Sequence, residues 1–316
     1  MNQQIQIQKS LANRDKYYHS FVVLRNITNL LRFRYLSFSN RDKDIIKEKD
    51  GDKYKITHLN RYNRAHHHIE FFKTYDRFDF KNIKFLRLYL CLITLKTTFP
   101  VLPRSGPERT KMKKFVQKNL GKYVDGFDLA WDFDIPKDID KCSVCGGKEG
   151  KDYTKCKADI YSLRDEVLEF NKFFNKYNVS VSNTFSGQRG FHVRIPNEYL
   201  HPILQKNYKR IININKKIAL FHNNLHIDTF GNDIMKLLKL PYSVDGNAPN
   251  FNVVLPLDYN QLSNFNINNM KMDYVIKNIR LVDKFNNPRG LIFNNFNNMI
   301  KQHENVLGMF SDIENW

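Results

Sequence analysis

Two strand-like runs, VSVSNTF (179–185) and FHVRI (191–195), are joined only by Ser186-Gly187-Gln188-Arg189-Gly190. Parallel neighbours need a crossover of a dozen or more residues, so a link this short makes the two runs antiparallel partners. A parallel Rossmann sheet is therefore disfavoured, and the chain is expected to be α+β with a mixed or antiparallel sheet flanked by helices. Gly187 and Gly190 allow a tight turn and close approach of a phosphate, while Ser186, Arg189 and His192 carry donors for phosphate oxygens. An ordinary hairpin with a stray arginine fits the same spacing.

Upstream, the segment 127–135 (FDLAWDFDI) reads as a strand. Side chains alternate along a strand, so Asp132 and Asp134 project to one side while Trp131, Phe133 and Ile135 face the core. Adjacent carboxylates repel, and a hard divalent cation such as Mg²⁺ would offset that repulsion. Two acids on a solvated face give the same pattern. Downstream, Asp228 in LHIDTF and Lys239 before Pro241 are further candidates, although an isolated Asp often caps a helix or turn and Lys239 suits a surface charge.

Ile160, Leu163, Val167, Phe170 and Phe174 recur at helical spacing and predict an amphipathic helix between the acid pair and the hairpin. A second helix is expected over about 203–222, and NDIMKLL (232–238) reads as a short helix stopped by Pro241. The last segment, 259–316, is Asn-rich and expected to be helical. Residues 1–100 hold no assigning motif. Within them, the tract 37–63 reads as a charged connection or solvated helix, and Cys91 as a buried strand or helix residue in LYLCLITL. The histidines 66–68 point in different directions on any regular element and read as surface rather than as a metal site.

Cys142, Cys145 and Cys156 crowd a short stretch in the arrangement of a thiolate zinc knuckle, with Gly146-Gly147 easing the turn. No histidine occurs between residues 69 and 191, so Asp152, Asp159 or a residue distant in sequence must complete a tetrahedral site. Four cysteines in 316 residues do not form a secreted disulfide framework. The N-terminus lacks a leader-like pattern and no run reaches the roughly 18 apolar residues of a membrane span, so an intracellular, soluble protein is expected, cytoplasmic if prokaryotic. Lys and Arg number 51 against 32 Asp and Glu, a formal charge of +19 that favours a polyanion, nucleic acid before a membrane. The abundance of Asn, Lys and Ile also suits an AT-rich gene.

Taken in order, hhhDhD at LAWDFD, S-G-x-R-G-x-H at SGQRGFH and the stretch IDTFGNDIMKLLKLPYSV resemble the archaeal and eukaryotic DNA primase superfamily, specifically its small catalytic subunit and primase-polymerases. The resemblance covers about residues 120–257. It implies one primase-type catalytic domain over 1–316, with a zinc-binding insertion at 138–160. It also implies that Asp132, Asp134 and Asp228 bind catalytic Mg²⁺ or Mn²⁺. Ser186, Arg189 and His192 would take the triphosphate with Lys239 assisting, and Cys142, Cys145 and Cys156 would hold structural Zn²⁺. Implied partners are a single-stranded DNA template, NTPs or dNTPs, and an accessory or large primase subunit. The third element departs from the pattern: many members carry a histidine after its Ser-Val and then a Lys-Thr-Gly-like segment, whereas this chain has Asp245 and then GNAPN. A carboxylate cannot donate to phosphate.

Overall fold

The computed structural model describes residues 3–18, 120–135, 158–205, 207–228, 237–247, 250–278 and 296–316, with short stretches between 20 and 119. Two compact units emerge. One comprises 1–125, 237–255 and 267–288, and the other 126–236, 256–266 and 289–316. No described helix is long and apolar enough to cross a membrane.

The second unit is built on strands β1 (Leu129–Asp134), β2 (Ser182–Phe185) and β3 (Gly190–Ile195), with Leu255–Leu257 (β4), whose last two residues belong to this unit, as an edge strand of the four-stranded sheet in the order β4-β2-β3-β1. β3 is antiparallel to both neighbours, as the short link requires. Trp131, Phe133, Phe191 and Val193 alternate onto one face and are buried. Helix α1 (Ile160–Lys176) covers that face: Leu163, Val167, Phe170 and Phe174 are fully buried, and the Phe170 ring lies 5.2 Å from those of both Trp131 and Phe133. Phe173 is buried too, widening the stripe beyond the 3,4,3,4 positions. Burying an aromatic of this size contributes roughly 1.5–3 kcal/mol, with somewhat more from edge-to-face geometry.

Asp159 starts α1 as its N-cap. Its Oδ1 accepts from the backbone N–H groups of Tyr161 and Ser162, and these bonds hold its carboxyl below the ordinary carboxylate value. The expected helix over 203–222 is realised as a short turn, Pro202–Gln205, followed by α2 (Tyr208–Phe221), which Asn207 caps. α2 lies beside β1, where Asn215 Nδ2 donates to Ala130 O at 3.2 Å. Helix α3 (Phe296–Glu314) joins α2 through the bidentate Arg210–Glu314 pair.

In the first unit, Leu36–Ser39, Arg87–Cys91 and Leu237–Lys239 form an antiparallel sheet with Arg87–Cys91 in the middle. Cys91 is thus a strand residue. Two expectations are corrected here. The tract 37–63 contains the hairpin of Lys47–Asp50 with Lys53–Ile56 rather than only a charged connection or solvated helix, and the Gly51-Asp52 dipeptide between the strands is of the type that two-residue hairpin links favour. The end of NDIMKLL is strand, not helix: Leu237 pairs with Cys91 and Leu238 with Leu90, so cross-strand partners override local helical preference.

Candidate active site

Asp132 and Asp134 sit on β1 facing away from the aromatic layer, half-exposed, while Trp131 and Phe133 between and beside them are buried. The antiparallel register sets each acid against one residue of the glycine hairpin: Asp132 is opposite His192 and Asp134 opposite Gly190. His192 Nε2 lies 3.5 Å from Asp132 Oδ1, and Arg189 Nη2 lies 3.3 Å from Asp134 Oδ2. The sequence-predicted acids and phosphate donors therefore meet in pairs across one strand boundary.

Two glycines make this possible for different reasons. Gly187 adopts φ of 98°, a conformation that side chains rarely take, and turns the hairpin. Gly190 is needed for space, since a Cβ there would lie 1.9 Å from the Phe133 carbonyl oxygen. The hairpin is closed by the Ser186 N–H donating to Gly190 O at 2.9 Å, and Ile135 N–H donates across to Arg189 O at 3.3 Å. Ser186 is half-buried at the mouth of this turn.

Asp228 arrives at the opposite edge of β1. Ile227 bridges to Phe133 in antiparallel sense, a register that sets Asp228 against Asp132, and the Asp228 N–H donates to Asp132 O at 2.8 Å. All three acids are thus aligned by backbone pairing around one strand. Among the described residues, however, no three His, Cys, Asp or Glu side chains already converge as an ion cage. The donor chemistry fits a hard divalent cation, because every acid in the set offers carboxylate oxygen and none offers thiolate.

Lys239 belongs to the first unit, where its Nζ donates to Asp245 Oδ2 at 2.5 Å. Asp245, at the position where the resemblance leads one to expect a histidine, is 2% exposed and serves as the partner of that lysine. Cys142, Cys145, Cys156, Asp152 and the histidines 66–68 lie outside the described residues.

Sequence reasoning missed two carboxylates. Asp128 is buried just before β1, accepting from Asn197 N–H at 2.8 Å with Arg194 Nη1 at 3.4 Å, and so ties the start of β1 to the end of β3. Glu166, on the flank of α1, grips His226 two residues before Asp228. Neither has a local signal: one is an Asp at a strand start, the other a Glu in an amphipathic helix.

No protein-family model matches the chain, and no curated protein matches it. Among solved structures, the polymerase domain of ligase D from Mycobacterium tuberculosis in complex with DNA is similar over 85% of this chain and 88% of that chain, at 11% identity and a TM-score of 0.44. A likeness at that level assigns no reaction.

Proposed function

We propose that the chain is a template-dependent nucleotidyltransferase, a DNA primase or primase-polymerase that joins nucleotides with release of pyrophosphate. The observation that carries the reading is the paired register of β1 and β3, which sets two same-face aspartates against a glycine hairpin bearing Arg189 and His192. An acid pair alone suits many surfaces, and a glycine hairpin alone is ordinary. Acids for a cation placed beside donors for phosphate are the two halves of a nucleoside triphosphate site.

Arg189 and Asp134 side chains are 42% and 43% exposed, so their contact is worth only about 0–1 kcal/mol. Arg189 is thus readily transferred from the carboxylate to an incoming phosphate. His192 is buried on the strand itself and offers a fixed donor, whereas Arg189 offers a movable one. Asp132, Asp134 and Asp228 would hold the divalent metal, which when bound lowers the pKa of an attacking hydroxyl and stabilises leaving phosphates. The residues of the chain orient the triphosphate so that a 3′-hydroxyl meets the α-phosphate in line with the departing pyrophosphate. Single-stranded DNA is the template and NTPs or dNTPs the substrates in this reading, with the +19 charge favouring the polyanion. The cysteine trio would hold a structural zinc.

The test is a template-dependent incorporation assay with ribo- and deoxynucleotides, with and without a pre-made primer, in Mg²⁺ or Mn²⁺. Template-directed extension or primer synthesis is the expected result. DNA binding without incorporation under any of these conditions would reassign the chain as a non-catalytic binding protein.

A further inference from the structure

We propose that Glu166 is a positioning residue, clamping residues 225–228 in the register that sets Asp228 against Asp132; the inference rests on reading Asp228 as one of the metal-binding acids. Glu166 uses both carboxylate oxygens on one residue. Oε2 accepts from the His226 backbone N–H at 2.7 Å, and Oε1 accepts from His226 Nδ1–H at 2.6 Å. Both distances are those of charge-assisted hydrogen bonds.

The clamp has a rigid base. Glu166 lies between Leu163 and Val167 on α1, and these neighbours, with Phe170, are fully buried against the sheet. It also has a target that needs it. The described attachment of 225–228 to β1 includes the bridge of Ile227 to Phe133 and the Asp228 N–H bond to Asp132 O. So short a pairing leaves register open to slippage, and a slip of one residue turns every side chain to the other face. Such a slip would take the Asp228 carboxylate away from the side where Asp132 and Asp134 project. Fixing the main chain at 226 by its N–H, and the side chain by its ring, removes that freedom two residues before the acid. Leu225, His226 and Ile227 are all buried, whereas Asp228 is exposed, as expected if the segment is anchored up to the acid and the acid itself is left available.

The experiment has a structural arm and a functional arm. In hydrogen exchange, Glu166→Ala is expected to speed exchange of the amides at 226–228 at least about tenfold while β3 amides stay protected. In the incorporation assay the same variant is expected to lower kcat about a hundredfold and to raise the Mg²⁺ or Mn²⁺ concentration for half-maximal rate, with nucleotide KM changed less than about threefold. Glu166→Gln keeps the shape and one acceptor, so it should fold and fall between wild type and Glu166→Ala in both arms. A purely structural glutamate would instead lower the urea midpoint without moving the metal requirement of the folded protein. Unchanged exchange at 226–228 in either variant overturns the clamp. If exchange rises but metal dependence and kcat stay at wild-type values, the positioning role is overturned. Asp132→Ala and Asp228→Ala serve as separate controls: full incorporation by either defeats the acid-site reading itself, whatever Glu166 does.

Discussion

Gly190 offers the sharpest test of the site, because its substitution changes one methyl group whose position is fixed by the strand pair. A Cβ at 190 would stand 1.9 Å from the Phe133 carbonyl oxygen, about 1 Å inside the 3.0 Å that real Cβ contacts respect. The obstacle is backbone near the C-terminal end of β1, so no rotamer change relieves it. β3 must move away from β1 by about 1 Å at the point where Gly190 faces Asp134. The Ile135 N–H bond to Arg189 O, already 3.3 Å, is the first to be lost, and Arg189 is carried off its position beside Asp134. Overpacking of this kind costs about 1–3 kcal/mol in stability, and a 1 Å misplacement of reacting groups about 10²-fold in rate. Gly190→Ala should therefore lower the urea midpoint and cut single-turnover incorporation about a hundredfold in the population that remains folded. Gly308→Ala is the matched control: a Cβ there meets nothing within 4 Å, and in the middle of α3 alanine should stabilise by up to about 1 kcal/mol with incorporation unchanged. Wild-type rate and urea midpoint in Gly190→Ala would refute the claim that close approach of the two strands builds the site.

Asp132→Ala and Asp134→Ala should each abolish incorporation while leaving DNA affinity near its original value, because the basic surface is intact; a binding titration beside the incorporation assay checks both halves. Arg189→Ala and His192→Ala should each weaken nucleotide binding about ten- to a hundredfold, the loss of one charge-assisted bond, as read by calorimetric titration. Burial among Phe170, Phe173 and Phe221 lowers the His222 pKa below its ordinary value, and its Nε2 is buried with no hydrogen-bond partner among the described residues. The folded state thus prefers the neutral ring, so this contribution to stability is complete above about pH 6.5 and is lost as pH falls from there through the lower folded value. His222→Phe should flatten the fall of the urea midpoint below about pH 6.5. Protein purified without chelator should carry about one zinc per chain, held by Cys142, Cys145 and Cys156, and elemental analysis finding none while all three thiols react freely would remove the zinc module.

What was legible in the sequence was what depends on local periodicity or on the length of a link. The five-residue connection before Phe191 dictated an antiparallel pair, and the alternation in LAWDFD dictated which side chains face the core. The spacing of Leu163, Val167, Phe170 and Phe174 dictated the helix that covers them. Leu237 and Leu238 escaped the same reasoning because their strand exists only through pairing with residues nearly 150 positions earlier, and nothing within NDIMKLL records that partner. Glu166 and His226 escaped it for the same reason, being 60 residues apart in sequence and 2.6 Å apart in space.

Lys239 and Asp245 show how a departure from a motif acquires physical content once its neighbours are known. From the sequence, an aspartate in place of a histidine removes a donor. In the fold that aspartate is buried and accepts directly from the lysine expected to assist with phosphate. A lysine held by a buried carboxylate is restrained far more firmly than Arg189, whose pair with Asp134 is open to solvent, since separating a buried pair leaves an uncompensated charge. Of the two cations the sequence nominated, Arg189 is therefore the one less firmly held by its carboxylate, and in the proposed site it is the one more readily exchanged onto a phosphate.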